Sequence, residues 1–172
     1  CDLQGKFEGL MGFASAIIAS ATLNEETVLE RWLQSKMQYR IKEVTQNLDE
    51  LKTRTALQLA LFETWNDLRW YIQRKGKTDA SALGEAVKVW LKLLAPFAPF
   101  LCEELWSQTG EAGFISKAPW PKFDECKIDV AAEEQENLIA DIIADTLNIL
   151  KATKITPKRL VYFTAASWKW QI

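Results

Sequence analysis

Basic and aromatic side chains alternate within a short segment in the first half of the chain. Arg69, Trp70 and Tyr71 are followed closely by Arg74 and Lys75. Guanidinium and ammonium groups bind phosphates, and aromatic rings can stack on a ribose or a base. The segment therefore predicts a contact with nucleic acid, although cations at the carboxyl end of a helix also interact favourably with its dipole.

A second basic cluster precedes this segment. Arg31, Lys36 and Arg40 recur along one predicted helix, where Glu30 and Glu43 partly cancel their charge. Both clusters have the chemistry of phosphate contact, and the later one adds the aromatic rings. Together they give eight candidate nucleic-acid-binding residues: Arg31, Lys36, Arg40, Arg69, Trp70, Tyr71, Arg74 and Lys75.

The residue types of most catalytic sites are missing. The chain contains no histidine, no glycine-rich phosphate loop and no Gly-x-Ser-x-Gly motif. Glu103 and Glu104 are adjacent, but neighbouring helical side chains diverge by about 100° and cannot readily share one site. We predict a structural or solvated role for this pair, and we predict neither a catalytic residue nor a metal site.

The three cysteines also lack the pattern of a site. Cys1, Cys102 and Cys126 are odd in number, far apart and without a Cys-x-x-Cys pair, which argues against a disulfide framework or a zinc site. We expect small buried hydrophobes or surface thiols, in a protein of the reducing cytoplasm.

The composition is that of a globular domain without a membrane span. The 172 residues are 48% hydrophobic and 26% charged, and the net charge of -2 gives no general argument for a nucleic-acid partner. The longest apolar run, 87–106, contains two lysines and two prolines, which excludes a membrane helix. Because residue 1 is not methionine and no signal peptide is recognisable, we expect a piece of a longer chain.

Apolar residues recur at helical spacing along most of the chain. Four helices are predicted from this pattern, over about 3–21, 24–48, 51–76 and 79–95. The short connections between them favour an antiparallel bundle.

The end of the chain has a different character. A helix over about 131–151 is followed by two segments, 159–164 and 168–172, whose β-branched, aromatic or alternating residues predict strands. We therefore predict a mainly α fold in two parts. Residues 1–126 form the helical bundle, and residues 127–172 form a helix plus two short strands, the truncated start of a small α/β domain.

Two prolines interrupt the strongly apolar segment 93–106. A proline in a helix interior costs about 3 kcal/mol or more, so one helix should end near Ala95 and the next should begin at Pro99. Gly110 lies just past the predicted end of the second helix. We expect a hydrophobic helix-to-helix corner with four buried residues, Pro96, Phe97, Pro99 and Phe100.

Four segments, in order, resemble motifs of one protein family. They are Leu29–Met37, Arg54–Gln58 with Trp65–Tyr71, the corner Leu93–Trp106, and Ala118–Pro121. The resemblance covers about residues 25–125 and is to the helical anticodon-binding domain of class I (subclass Ia) aminoacyl-tRNA synthetases of the leucyl, isoleucyl and valyl subgroup. Phe100 stands where the family often has histidine, which rules out an ionisable role there.

The resemblance implies a function for this piece and for its parent. Residues 70–74 and 165–171 are most similar to archaeal-type leucyl-tRNA synthetases, so the implied role is a tRNA-binding domain that positions leucine tRNA, mainly through contacts to its backbone. The catalytic His-Ile-Gly-His and Lys-Met-Ser-Lys-Ser motifs are absent. Aminoacylation, with ATP and Mg²⁺, would therefore belong to an upstream catalytic domain, and this piece would be non-catalytic and hold no cofactor.

The same resemblance implies the partners. They are tRNA and the catalytic and editing domains of the same chain, with no membrane, in the cytoplasm. A valyl- or isoleucyl-tRNA synthetase is an alternative parent. A non-catalytic helical scaffold that binds another protein is the alternative of a different class, because the chain carries eight tryptophans and several amphipathic faces.

Overall fold

The computed structural model describes Gly12 and residues 27–75 and 80–163. These residues are mainly helical, which confirms the predicted helical bundle, and the helix predicted over 3–21 lies outside them. The chain divides into two compact units, Cys1–Glu136 and Asn137–Ile172, and this division falls later than the boundary that we predict after Cys126. None of the described helices has the length and hydropathy of a membrane span.

The first described helix, α1 (Val28–Asp49), is central to the first unit. It begins after Thr27, which is extended and donates its backbone N–H to the Glu30 carboxylate, as in a capping box. Asn24, where the sequence predicts that this helix begins, lies outside the described residues. The inward stripe of α1 is buried, as its spacing predicts: Trp32, Leu33, Met37, Ile41 and Val44.

The next long helix contains one wider turn. Its parts follow without a break: α2 (Thr53–Gln58), a π-helical segment (Leu59–Glu63) and α3 (Thr64–Lys75). At the end of the π segment the backbone N–H of Thr64 reaches the carbonyl of Leu59, five residues back. Thr64 Oγ1 donates to the same carbonyl at 2.9 Å.

A tryptophan from the following helix, α4 (Ala80–Leu94), is bonded into the π segment. The indole N–H of Trp90 donates to the carbonyl of Ala60 at 2.7 Å. A side chain that enters the four-residue hydrogen-bond ladder is a known cause of such irregular turns. The ring of Trp90 also stacks on Trp65, with 5.9 Å between the ring centroids.

The predicted proline corner is confirmed. α4 ends at Leu94, and α5 (Pro99–Gln108) begins at Pro99, so both ends lie within one residue of the prediction. Gly110 follows α5 with a φ of 76°, a backbone conformation that glycine adopts without steric cost.

The prediction that the corner residues are buried is wrong for three of the four. Phe100 is 91% exposed, Pro96 and Pro99 are exposed, and only Phe97 is partly buried. The helix turns Cys102 inward instead, and a residue two positions earlier lies about 200° round the axis. Phe100 therefore faces away from the core.

The segment after α5 is irregular, with two short 3₁₀ helices, Ile115–Lys117 and Glu125–Lys127. Glu103 fixes the first of these, because its carboxylate accepts the backbone N–H groups of Ile115 and Ser116 at 2.9 and 3.1 Å. Glu104 is exposed. The pair thus has the structural and solvated roles that we predict for it.

The last helix, α6 (Val130–Thr153), confirms the helix predicted over about 131–151. It begins in the first unit and ends in the second. Within the second unit Thr146 Oγ1 and the hydroxyl of Tyr162 form a hydrogen bond of 2.8 Å.

The strand predicted over 159–164 is wrong for the residues that the structure describes. Residues 155–163 are irregular, and Val161 and Phe163 are exposed. A strand needs a partner for its backbone groups, and within the described residues there is none. The strand predicted over 168–172 lies outside the described residues.

Three tryptophans contribute to the packed interior of the first unit. Trp32 is 4% and Trp90 is 1% exposed, and Trp65 is partly buried beside them. Trp120, from the irregular segment, packs on a separate group of buried residues that includes Ile41, Val44 and Leu93. Its indole N–H donates to Thr45 Oγ1 at 2.9 Å.

Burial makes the two described cysteines chemically different. Burial, with a smaller effect of Glu103, raises the pKa of the Cys102 thiol to about 12, whereas Cys126 is exposed. The thiolate is the reactive form, so in a Cys1→Ser variant we expect Ellman's reagent to modify Cys126 in the folded protein and Cys102 only in urea. A rapid reaction of a folded Cys1→Ser/Cys126→Ser variant would contradict this expectation.

Candidate nucleic-acid interface

Two of the candidate cations on α1 bind carboxylates at the start of α6. Arg31 Nε donates to Asp129 at 2.8 Å, and Lys36 Nζ lies 3.5 Å from Glu133. Asp129 also accepts the backbone N–H of Ala132, and this bond, with that from Arg31, lowers the pKa of Asp129. Both cations therefore help to hold the first turn of α6 against α1.

Arg74 and Trp70 on α3 converge on one buried carboxylate. Arg74 donates from Nε and Nη2, one edge of its guanidinium, to the two oxygens of Glu136 at 2.9 and 3.1 Å, and the Trp70 indole donates to Glu136 at 3.1 Å. Glu136 is only 4% exposed. The bond to Glu136 raises the pKa of Arg74, which stays charged. A carboxylate thus occupies one edge of the guanidinium and neutralises its charge.

Lys75 and Tyr71 are also engaged within the first unit. The Lys75 ammonium pairs with Glu30 and lies 5.7 Å from the centroid of the Tyr71 ring. Burial acts to raise the pKa of Glu30, but the bonds from Lys75 and Thr27 outweigh it and hold that pKa below its usual value. Tyr71 is 1% exposed, so its ring packs against protein.

Arg40 connects α1 to α3. Its Nε donates to Asp67 at 2.7 Å and its NH1 donates to Glu43 at 2.9 Å. Only 16% of the Arg40 side chain and 13% of the Asp67 side chain are exposed. Burial raises the pKa of Asp67, and the pair with Arg40 opposes that rise.

The structure thus brings four of the eight candidates together in one ionic contact, which we call the acidic seam. It consists of the carboxylates Asp129, Glu133 and Glu136 and the side chains that bind them, Arg31, Lys36, Trp70 and Arg74. The seam joins the start of α6 to α1 and α3. Its acids lie 62 to 98 residues from their partners along the chain, so the sequence pattern of the basic clusters does not reveal them.

Arg69 is different from the other candidate cations. It is exposed, and in the part of the chain that the structure describes its guanidinium forms no ion pair. The neighbouring acid on the same helix, Asp67, is bound by Arg40. Arg69 is therefore available to an external anion.

Arg69 belongs to an exposed row of side chains along α2, the π segment and α3, which we call the α2–α3 stripe. Its members are polar or aromatic, and none carries a carboxylate. They are Arg54, Gln58, Phe62, Asn66, Arg69 and Gln73. At one end, Arg54, Leu57, Gln58 and Phe62 line an open groove of about 430 Å³.

The π segment is what keeps the stripe on one face. A regular α-helix advances 100° per residue, so the three four-residue steps from Arg54 to Asn66 would drift by about 120°. The wider π turn holds more residues and removes much of this drift. Over 19 residues at a rise of 1.5 Å, the stripe is roughly 28 Å long. The sequence pattern predicts only Arg69 from the stripe, because Arg69 belongs to a basic cluster and Arg54 lies outside both clusters.

The described residues offer no metal site. No group of three or more cysteine, aspartate or glutamate side chains among them is arranged to hold an ion.

Comparison with known proteins places the chain in one family. Residues 30–162 match the family described as the anticodon-binding domain of tRNA ligase, and the chain belongs to this family. The family predicted from the four motifs is confirmed.

The relatives that resemble this chain include archaeal leucine–tRNA ligases. The identity is 39% over 169 residues with that of Methanothrix thermoacetophila, which covers 96% of this chain and 17% of the relative. It is 39% over 149 residues with that of Pyrococcus horikoshii, which covers 84% of this chain and 15% of the relative. The chain therefore spans less than a fifth of the length of these relatives.

A solved structure shows the same fold. The ternary complex of Agrobacterium radiobacter K84 agnB2 LeuRS with tRNA and LeuAMS matches 73% of this chain and 16% of that chain, with a TM-score of 0.60 and 22% identity. At this identity the likeness establishes the helical architecture.

Proposed function

We propose that this chain is the tRNA-binding domain of a leucyl-tRNA synthetase and that it contacts the tRNA backbone through the α2–α3 stripe. The observation that carries the proposal is the family match over residues 30–162, together with 39% identity to leucine–tRNA ligases over almost the whole chain. The stripe supplies a surface with the required chemistry.

The charges of the first unit favour the stripe over the predicted basic clusters. In the acidic seam, Glu133 and Glu136 already neutralise Lys36 and Arg74, and their negative charge opposes the approach of a phosphate. On the stripe, Arg54 and Arg69 are exposed, and neither is paired with a carboxylate among the residues that the structure describes. Of the eight candidates, Arg69 is therefore the one that we retain as a direct phosphate contact, and the others stay predictions.

The side chains of the stripe suit an RNA backbone. Guanidinium groups bind phosphate oxygens, and the amides of Gln58, Asn66 and Gln73 can both donate to and accept from a ribose 2′-hydroxyl. Such contacts fix the position of an RNA without reading its bases. The domain would accordingly orient leucine tRNA rather than select it by sequence.

The parent protein would perform the chemistry in other domains. We propose that it is an ATP- and Mg²⁺-dependent leucine–tRNA ligase of the cytoplasm, with catalytic and editing domains outside this chain, and that a valyl or isoleucyl enzyme is the alternative parent. This domain would contribute by orientation, because holding a substrate in place lowers the entropic part of the barrier.

The test is a titration of the chain with leucine tRNA and with a non-cognate tRNA at several salt concentrations. For an Arg54→Ala/Arg69→Ala variant we expect about tenfold weaker binding, and a salt slope smaller by about 1.4 to 1.8, because each lost phosphate contact removes roughly 0.7 to 0.9 from the slope. Both tRNAs should be affected alike.

A matched control is the Lys122→Ala/Lys127→Ala variant, which removes the same charge from two exposed residues outside the stripe. It should retain near-normal binding. If both double variants lose the same affinity, the stripe is not the interface. If the unmodified chain shows no salt-sensitive binding to either tRNA, the tRNA-binding proposal is wrong, and capture of a protein partner becomes the better explanation.

A further inference from the structure

A second polar cleft lies in the first unit, between α4, α5 and the irregular segment that follows α5. Its volume is about 700 Å³. Its lining includes these charged and aromatic side chains: Lys88, Lys92, Trp106, Glu111, Phe114 and Lys117. None of them belongs to the α2–α3 stripe or to the acidic seam.

The lysines of the cleft fall into two classes. Lys88 is bound by two carboxylates, Glu85 at 2.8 Å and Glu111 at 2.7 Å. Lys92 and Lys117 instead lie over aromatic rings, at 5.4 Å from the ring of Trp106 and 5.9 Å from that of Phe114.

Lys92 and Lys117 leave positive charge available in the cleft. Among the described residues, neither ammonium is within ion-pair distance of a carboxylate, although Lys92 contributes to lowering the pKa of Glu111. The cleft is lined by three lysines, Lys88, Lys92 and Lys117, but by only two carboxylates, Glu85 and Glu111, and both of these bind Lys88. The cleft therefore has an excess of positive charge.

Trp106 lines the same cleft, and Lys92 lies over its ring. Its side chain is 4% exposed, and its buried indole N–H has no hydrogen-bond partner in the described part of the chain. An indole N–H can only donate, so it needs an acceptor. Because the indole nitrogen is shielded from solvent, a ligand in the cleft cannot reach it directly, but the Trp106 side chain can report binding there.

We propose that this cleft binds a phosphate group, with Lys92 and Lys117 as its cations. A phosphate offers several strong acceptor oxygens around one centre, and lysine binds it as a point charge from any side. The planar, bidentate geometry that favours a carboxylate is typical of arginine, and no arginine lines the described part of the cleft.

The phosphate group can come from two sources that have the same chemistry. The phosphate can be part of an RNA backbone, which would make the cleft a second anchor for the proposed tRNA, or it can belong to a free nucleotide or inorganic phosphate. The site itself does not depend on the tRNA proposal, because its residues are separate from Arg54 and Arg69.

The experiment follows the indole N–H signals of the ¹⁵N-labelled chain during titration with inorganic phosphate, a nucleoside monophosphate and a short oligoribonucleotide. Trp106 is assigned from the signal missing in a Trp106→Phe variant. We expect a saturable shift of this signal with at least one probe, and weaker binding of that probe by about tenfold in a Lys92→Gln/Lys117→Gln variant. The probe that binds tightest identifies the source.

The control removes the same charge from two exposed lysines outside the cleft, in a Lys122→Gln/Lys151→Gln variant, which should bind as the parent does. Sodium acetate at equal ionic strength should not reproduce the shift. No saturable shift with any of the three probes, or an equal response to acetate, or an unchanged response in the Lys92→Gln/Lys117→Gln variant, would overturn the proposal. An Arg54→Ala/Arg69→Ala variant that binds phosphate normally but loses tRNA separates this site from the stripe.

Discussion

Replacing Trp90 with leucine should lower the free energy of unfolding by about 3 to 5 kcal/mol, the largest effect that we expect from a single substitution here. The side chain is 1% exposed and stacks on Trp65. Its indole N–H donates to the carbonyl of Ala60, which would lose this buried partner. Urea unfolding followed by circular dichroism measures the change.

Two further variants divide this effect into its parts. Trp90→Phe keeps most of the ring and removes the hydrogen bond, so it should cost less than Trp90→Leu. Trp120→Leu is the matched control, because Trp120 is only partly buried and donates to a side chain, Thr45 Oγ1, rather than to the backbone of a π segment. Equal losses at Trp90 and Trp120 would show that the bond to Ala60 and the complete burial of Trp90 do not matter.

Replacing Glu136 with alanine should destabilise the first unit by about 2 to 3 kcal/mol. The substitution leaves the guanidinium of Arg74 and the indole N–H of Trp70 without their shared acceptor. Arg74 is about a third exposed, which lets water replace part of the loss and places the effect below that of a fully buried pair. The measurement is again the urea midpoint, with amide exchange over the first turns of α6 as a local readout.

The control for Glu136 lies on the same helix. Glu134 is exposed, so Glu134→Ala should change stability by less than about 0.5 kcal/mol. An Arg74→Met/Glu136→Met variant should recover part of the loss, because it removes both charges and leaves neither unpaired. If Glu136→Ala is as mild as Glu134→Ala, the seam does not hold α6 in place.

Local patterns in the sequence predict the helices well. The stripe of α1 and the prolines that separate α4 from α5 depend on residues three or four positions apart, where side-chain spacing and proline geometry act directly. The position of Pro99 at the first turn of α5 follows from the same local chemistry. These features are therefore readable from a single chain.

Features that depend on distant residues are not readable in this way. The basic clusters indicate phosphate contact, but Arg74 meets Glu136 from 62 positions later in the chain. The π segment accepts a hydrogen bond from Trp90, 30 residues beyond Ala60. The exposure of Phe100 could not be predicted either, because an apolar side chain next to buried residues in the sequence can still face away from the core. In each case the decisive neighbour is set by tertiary packing.

The π segment also has a consequence for how the chain tolerates changes in length. Deleting one residue from an ordinary helix turns every later side chain by about 100° relative to the earlier ones. Within Leu59–Glu63 the same deletion can convert the wide turn into a regular one, so that Arg54 and Arg69 still point to the same side. In α1, which has no such turn, a deletion would carry part of the buried row into solvent. Insertions and deletions among relatives should therefore concentrate at the π segment. Residues on either side of it should be aligned by the helix face on which they lie, because their spacing along the sequence can differ by a residue.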